Sequence, residues 1–343
     1  MKHPKPPALA KLEAQIANTG FVLENRVAET LKQAGWNVIS NRYYVDDTGE
    51  ETVRELDLIA YKATKLQELR LYTGLLLSCK KSEKDAWALL SRPINVKDPN
   101  ANWWPLHAWS NNKAVAFELS LPDTPRRYHD AMQAAGVKDA LALPAVDVFA
   151  YQEMDRHDGT PHNQKAIFQS VTSLIKAQSY ELQSMPERQA KEAVVYQLNL
   201  LSIIDADLVR LHFDKGNITA SSISDEHYIT RYIVSKRNTV ARVRFIKADY
   251  LDACLPDYAR LHEANCKWVE ERHGAFYKDA VKSPRAEVFL DEFRTRVCWY
   301  LRLRQKGAGK FDSFEDNELT LDWQPSENAR FRVGIQTAST KPT

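Results

Sequence analysis

The sequence has few cysteines, few glycines and no long apolar run, and each shortage excludes a class of protein. Four cysteines in 343 residues are too few for a disulfide framework and indicate a reducing compartment. Eleven glycines exclude collagen-like and glycine-linker architectures. No window approaches about 18 uninterrupted apolar residues, and residues 1–7 lack the apolar core of a signal peptide. We therefore expect a soluble, cytoplasmic protein with no membrane partner.

Several common catalytic motifs are also missing. There is no glycine-rich phosphate loop, no nucleophile elbow and no dinucleotide-binding fingerprint, which counts against kinases, α/β-hydrolases and dehydrogenases. The charges nearly cancel, with 47 basic and 45 acidic side chains. Any binding to nucleic acid must therefore depend on local basic patches rather than on the net charge.

The composition is that of a folded globular protein, since 44% of the residues are hydrophobic and 27% are charged. Helical and alternating patterns predict an α/β fold with a mixed central β-sheet flanked by helices. The predicted helices cover residues 8–34, 164–182, 259–271 and 286–303. The predicted strands cover residues 36–39, 43–45, 55–61, 71–79, 146–151, 194–204, 229–234 and 240–246.

In three of these segments, polar side chains occupy positions where the pattern calls for apolar ones. Glu24 lies on the same helical stripe as Phe21, Ala28 and Leu31. A carboxylate that faces a core is costly unless a charged group meets it there. Glu24 is therefore a candidate site residue.

Two neighbouring strands carry the other polar positions. On the first strand, Glu55 and Asp57 share the face opposite to the apolar residues. On the second strand, Ser78 and Lys80 share a face at the end of a strongly apolar run. If these strands pair, Asp57 and Lys80 converge at their ends and Glu24 reaches in from the helix.

Such an arrangement suits metal-assisted cleavage of a phosphodiester bond. Mg²⁺ is usually held by one or two carboxylates and keeps several waters. The metal polarises the phosphate and lowers the pKa of a bound water. A nearby lysine can orient or deprotonate that water and balance the charge that develops in the transition state.

Residues 19–24, 35–36, 54–60 and 76–82 together resemble the PD-(D/E)xK, or restriction-endonuclease-like, nuclease superfamily. The resemblance implies a core of a helix, three strands, a second helix and a further strand. It implies that Asp57 binds a metal, Mg²⁺ or Mn²⁺, and that Lys80 is the motif lysine. It also implies that Glu24 lies near the metal and that the main-chain carbonyl of Cys79 is a further ligand.

One position departs from the family pattern. Ser78 replaces the acidic residue expected two positions before Lys80, so the catalytic motif here is a Ser-x-Lys variant that includes Ser78. Serine does not replace the lost negative charge, so Glu24 or Glu55 must supply a substitute ligand. The alternative is that catalysis has been lost and the fold acts only as a nucleic-acid-binding or partner-binding module.

Two further segments are candidates for binding nucleic acid. Residues 231–247 contain six basic residues and no acidic one. Contacts with phosphate from Arg231, Lys236, Arg237, Arg242 and Arg244 would give salt-dependent, sequence-independent affinity. The alternative is an edge strand guarded by charge against aggregation. On the helix over 164–182, Gln169 and Lys176 could reach substrate or simply face solvent.

Together these observations predict a nuclease-like domain with insertions over residues 8–285, followed by a helical, basic extension and tail over 286–343. The expected activity is that of a Mg²⁺-dependent endonuclease. DNA is the expected substrate, with RNA left open. The resemblance also suggests a role in restriction or anti-phage defence, as a homodimer or with a partner protein of a defence system.

Overall fold

The structure is a computed structural model that describes residues 9–17, 19–46, 52–188, 192–279, 319–324 and 330–335. The chain divides into two compact units. The first comprises Met1–Asn112 and Leu119–Trp268, and the second comprises Lys113–Glu118 and Val269–Thr343. The boundary predicted at residue 285 and the helix predicted over 286–303 lie outside the described residues.

The described part of the chain alternates between helices and strands. The helices are α1 (Leu9–Ile16), α2 (Gly20–Gln33), α3 (Lys113–Ser120), α4 (Thr124–Ala134), α5 (Lys165–Ser184) and α6 (Leu251–Asp279), with short 3-10 turns at Met185–Arg188 and Ala248–Tyr250. The strands are β1 (Asn37–Asp46), β2 (Thr52–Lys65), β3 (Arg70–Lys81), β4 (Asp85–Pro93), β5 (Ala108–Ser110), β6 (Val146–Asp155), β7 (Val194–Asp205), β8 (Leu208–Asp214), β9 (Asn217–Ser222), β10 (Asp225–Val234), β11 (Arg237–Lys247), β12 (Leu319–Gln324) and β13 (Arg330–Ile335).

The first unit is built on a mixed sheet with the order β1-β2-β3-β7-β11-β10, and β5 pairs with β7. Strands β1, β2 and β3 are antiparallel, whereas β3, β7 and β11 run parallel. Leu76 and Leu77 lie on opposite faces of β3 and both are fully buried, so both faces of the sheet are covered. The expected α/β fold with a mixed central sheet flanked by helices is confirmed.

Helix α5 connects β4–β6 to β7 and packs its apolar stripe on the sheet. Ile167, Val171, Leu174 and Ile175 recur at three- and four-residue steps and are buried. They join a core cluster with residues of β3, β7 and β11, among them Phe245. The parallel pairing of β3 with β7 depends on this crossover, because parallel neighbours need a long connection.

A second sheet with the order β6-β4-β8-β9 was not evident from the sequence. The strand predicted over 146–151 belongs to this sheet as part of β6. Strand β4 lies at the start of a long connection that gave no clear pattern, yet its Trp87 is fully buried. In the second unit, β12 and β13 form an antiparallel hairpin within the segment expected to be helical and basic.

The helix predicted over 8–34 is two helices. Thr19 separates them, and its hydroxyl donates to the carbonyl of Ile16 at 2.7 Å, which closes α1. Phe21 is 63% exposed rather than on the buried stripe, because α2 instead buries Leu23, Val27, Ala28 and Leu31. No helix among the described residues is long and apolar enough to cross a membrane.

Candidate functional site

The site expected on β2 and β3 forms where the pairing of these strands ends. The ladder stops at Leu58 and Leu77, so Asp57 lies just beyond it. The Oδ2 atom of Asp57 accepts a hydrogen bond from the Cys79 amide at 2.6 Å and lies 3.5 Å from Nζ of Lys80. The side chains of Asp57 and Lys80 are 19% and 32% exposed, so solvent can reach the pair. The two residues converge as the alternation of the strands predicts.

A break in β1 faces Asp57. Asn41 stands opposite Asp57 in the register, but the two residues do not pair, and Asn41 has a φ of 56°. Asparagine tolerates this left-handed conformation better than most residues. The break also ends the alternation of faces, since Ile39 and Arg42 line the same cavity although they are three residues apart. The Nδ2 atom of Asn41 donates to the Glu55 carboxylate, which anchors that exposed side chain.

Glu24 joins the cluster from α2. Partial burial raises the pKa of Glu24, and the nearby carboxylates of Asp57 and Glu55 raise it further, while Lys80 lowers it. The four side chains therefore interact electrostatically. Neighbouring carboxylates repel one another when they are ionised, and a bound cation would relieve this repulsion.

The donors fit a hard divalent ion of the Mg²⁺ or Mn²⁺ type. Among the described residues, no three acidic, histidine or cysteine side chains form a ready ligand group. Mg²⁺ needs only one or two carboxylates, with waters and substrate phosphate as its other ligands, and Asp57 and Glu24 are the carboxylates that would hold it here. In a β-strand, the N–H and C=O of one residue point to the same side. The Cys79 carbonyl is therefore directed to the side where its amide meets Asp57.

The structure corrects the role expected for Ser78. This residue is 1% exposed, because β3 is paired with β7 beyond this point, as far as Lys81. Its register partner Ser202 is hydrogen-bonded to Ser170 of α5 at 2.8 Å. Within the described residues the Ser78 hydroxyl has no hydrogen-bond partner. Ser78 is therefore a core residue and does not face a substrate.

A polar cleft of about 390 Å³ lies at the carboxyl ends of β3, β7 and β11. Ligands of open α/β sheets commonly bind at this edge. Four ion pairs line the cleft, formed by Arg26–Asp205, Lys81–Glu83, Arg156–Asp207 and Lys247–Asp249. The sequence offered a weak signal for it, since Arg26 is two residues after Glu24 and Lys81 follows Lys80.

The basic segment on β10 and β11 is only partly a surface. Arg231, Lys236 and Arg237 are exposed. Arg242 and Arg244 are only 8% and 3% exposed, so the expectation that they contact phosphate is wrong. Strand β11 lies inside the sheet, between β7 and β10, and both of its faces are covered over residues 241–246.

The two buried arginines have partners within the protein. Arg242 donates to the carbonyls of Ala142 and Trp103, and Arg244 forms an ion pair with Asp225 at 2.6 Å. These contacts satisfy part of the guanidinium donors in the interior, whereas Nε of Arg242 and Nη1 of Arg244 have no hydrogen-bond partner within the described residues. Both side chains therefore support the fold rather than a binding surface.

The two candidates on α5 also differ from each other. Gln169 is exposed, as a substrate contact requires. Lys176 is instead paired with the buried Asp46 at 2.7 Å. Burial opposes ionisation of Asp46, but hydrogen bonds from Lys176 and Arg54 outweigh it and lower the pKa of that carboxyl. Lys176 therefore forms an ion pair inside the protein and does not reach a substrate.

Comparison of the chain with protein-family models, with curated proteins and with solved structures gives no match. What the chain does must therefore be inferred from its own residues.

Proposed function

We propose that the chain is a metal-dependent nuclease that hydrolyses phosphodiester bonds, most directly those of DNA. The observation that carries the proposal is the solvent-accessible pair of Asp57 and Lys80 at the end of the β2–β3 ladder, with Glu24 electrostatically coupled to it. A carboxylate pair beside a lysine is the chemistry that this reaction requires.

The order of elements supports a PD-(D/E)xK-like core. Helix α2, the antiparallel strands β1, β2 and β3, helix α5 and the parallel strand β7 occur in the order that the resemblance implies, with β4, β5, α3, α4 and β6 inserted between β3 and α5. Fold order does not by itself establish an activity. It does bring the motif residues on β2, β3 and α2 to one end of the sheet.

Each residue of the site has a distinct task in this proposal. Asp57 and Glu24, with the Cys79 carbonyl, would hold Mg²⁺ or Mn²⁺. When bound, the metal polarises the phosphate and acidifies a water. The Cys79 amide fixes the rotamer of Asp57 through Oδ2. The Lys80 ammonium orients the attacking water and stabilises negative charge on the phosphate in the transition state.

The polar cleft beside the site suits the phosphate backbone. Its lining residues Arg26 and Arg156 form ion pairs whose side chains are about half exposed. Exposed ion pairs contribute about 0–1 kcal/mol, so a phosphate can replace the carboxylate partner at little cost. Binding there should weaken steeply with salt, because each neutralised phosphate releases counterions.

A cleavage assay tests the proposal. Plasmid DNA, single-stranded DNA and RNA are incubated with the protein in Mg²⁺, Mn²⁺ or EDTA. We expect metal-dependent cleavage that falls at least about 100-fold in Lys80→Met, a typical loss for a positioned catalytic group. Lys65→Met, which removes an exposed lysine from the far end of β2, should cleave like the wild type. Equal loss in both variants, or none in Lys80→Met, would contradict the role of Lys80.

A second candidate, a nucleic-acid-binding protein without catalysis, is favoured by one observation. The position of the missing motif acid is the buried Ser78. This alternative predicts binding of nucleic acid that is unchanged by EDTA, with no cleavage in any metal.

A further inference from the structure

A cavity of about 240 Å³ opens on the face of the sheet near the C-terminal end of α5. Its floor is apolar and consists of Ile39, Ile59, Leu76 and Leu198. Gly74 also lines the cavity, and a Cβ at this position would approach Leu198 Cδ2 to 2.8 Å. The floor is therefore shaped by close packing of β3 against β7 and is not a surface irregularity.

Aromatic rings form one wall of the cavity. Tyr72 of β3 and Tyr196 of β7 are register partners, and their rings stack with centroids 4.6 Å apart and an interplanar angle of 11°. Tyr61 of β2 lies 6.1 Å from Tyr72. All three residues are only partly buried, so ring surface remains available. Tyr196 also meets Trp109, with ring centroids 6.4 Å apart, so the faces of Tyr72 and Tyr196 are occupied by other rings and their edges are open to a planar ligand.

The rim of the cavity carries an excess of positive charge. Glu181 is 5% exposed and accepts hydrogen bonds from both Arg42 and Arg188. Two guanidinium groups thus share one carboxylate, which leaves a net charge of plus one. Arg42 uses its Nε atom for this bond at 3.0 Å. In the part of the chain that the structure describes, its two terminal nitrogens have no hydrogen-bond partner.

We propose that this cavity binds a nucleotide, with the base packed against the ring edges of Tyr72 and Tyr196 and the phosphate held by Arg42 and Arg188. A purely apolar ligand would leave the net positive charge of the arginine rim uncompensated. A small inorganic anion would leave the tyrosine wall uncovered. A planar ring that carries a phosphate matches both, and arginine is well suited to phosphate because its donors form a fork.

The position of the cavity links it to the proposed nuclease site, and this step depends on the proposed function. Ile59 is two residues from Asp57 along β2, a distance of about 7 Å in an extended strand. No residue of the proposed nuclease site lines the cavity, so a base held there would belong to a neighbouring nucleotide of the same strand rather than to the cleaved linkage itself. A stacked base inside a duplex cannot enter such a cavity, so the substrate class is single-stranded or locally unpaired nucleic acid.

Binding measurements in EDTA test the inference without any need for cleavage. The probes are a labelled single-stranded oligodeoxynucleotide, its duplex, and free deoxynucleoside monophosphates. We expect Tyr72→Leu and Arg42→Gln each to weaken single-strand binding by about tenfold, the effect of one lost ring or phosphate contact. Phe149→Leu, which removes an exposed ring from β6, should bind like the wild type. All variants should first be shown to melt at the wild-type temperature.

The outcomes separate the two sources of the ligand. If the variants lose only single-strand binding, the ligand of the cavity is a segment of the substrate. If they lose monophosphate binding, the ligand is a free nucleotide. Either result supports the cavity as a nucleotide site. The proposal would be overturned if both variants kept the wild-type affinity. It would also be overturned if their affinity for the duplex fell as much as their affinity for the single strand. Binding is measured in EDTA and cleavage in Mg²⁺, so failure of cleavage and failure of the cavity can be told apart.

Discussion

At the scale of single residues, Asp57 is held by three different constraints. Its Oδ2 atom accepts a hydrogen bond from the Cys79 amide, and its carboxylate forms an ion pair with Lys80. Its position is set by the end of the β2–β3 ladder. The facing residue Asn41 allows that end, because its left-handed backbone interrupts β1. The local geometry of the site thus depends on a residue that takes no part in the chemistry.

Asn41 supplies a prediction about stability. Asn41→Gly should be close to neutral, because glycine adopts positive φ freely. Asn41→Val should cost about 1–2 kcal/mol, because a β-branched residue is strained there. Urea unfolding of the two variants measures the difference. Equal stability of both variants would show that the left-handed conformation does not constrain this position.

Glu24 supplies a prediction about pH and metal. A carboxyl group whose pKa is raised by folding lowers stability as the pH rises above its unfolded value of 4.5. In the absence of metal, Glu24→Gln should therefore raise the Tm at pH 7 and make little difference at pH 4. Mg²⁺ should raise the Tm of the wild type more than that of the variant. A wild type that melts above Glu24→Gln at pH 7 without metal would contradict this electrostatic interpretation.

At the scale of elements, the β10–β11 hairpin divides into an exposed end and a buried body. Lys236 and Arg237 are exposed at its turn, and Lys236 has a φ of 61°. We predict that the double variant Lys236→Asn, Arg237→Gln weakens DNA binding several-fold. Asparagine is chosen because it tolerates positive φ.

Salt dependence identifies the contact. If both side chains touch phosphate, the slope of log K against log salt should become shallower by about 2 for duplex DNA. The matched control, Lys65→Gln with Lys97→Gln, removes two exposed charges elsewhere and should leave the slope unchanged. An unaltered slope in the hairpin variant would assign its charges to solubility rather than binding.

The sequence predicted some elements well because their signals are local. The alternating pattern on β2 and the apolar run of β3 were enough to predict that Asp57 and Lys80 converge. The burial of Arg242 and Arg244 could not be predicted, because it depends on β11 lying between β7 and β10, a non-local pairing. The break at Asn41 was equally hidden, since a single asparagine in a strand pattern carries no distinctive signal.

At the scale of the whole molecule, the first unit combines the mixed sheet with a second sheet of four strands, β6-β4-β8-β9. The class of fold followed from the order of helical and alternating segments. The second sheet did not, because β4 pairs with β6 and β8, which are distant in the sequence. The carboxyl ends of β3, β7 and β11 bring the polar cleft beside the motif residues.

The measurement that tests the central claim most directly is DNA cleavage by the wild type and by Asp57→Asn, each in Mg²⁺ and in EDTA. Asparagine keeps the shape of Asp57 and an oxygen for the Cys79 amide, so the variant should fold normally. We predict cleavage by the wild type in Mg²⁺ alone and a loss of at least about 100-fold in Asp57→Asn. Cleavage that persists in EDTA or in Asp57→Asn, or a wild type that cleaves no nucleic acid in any metal, would contradict a metal-dependent nuclease centred on Asp57.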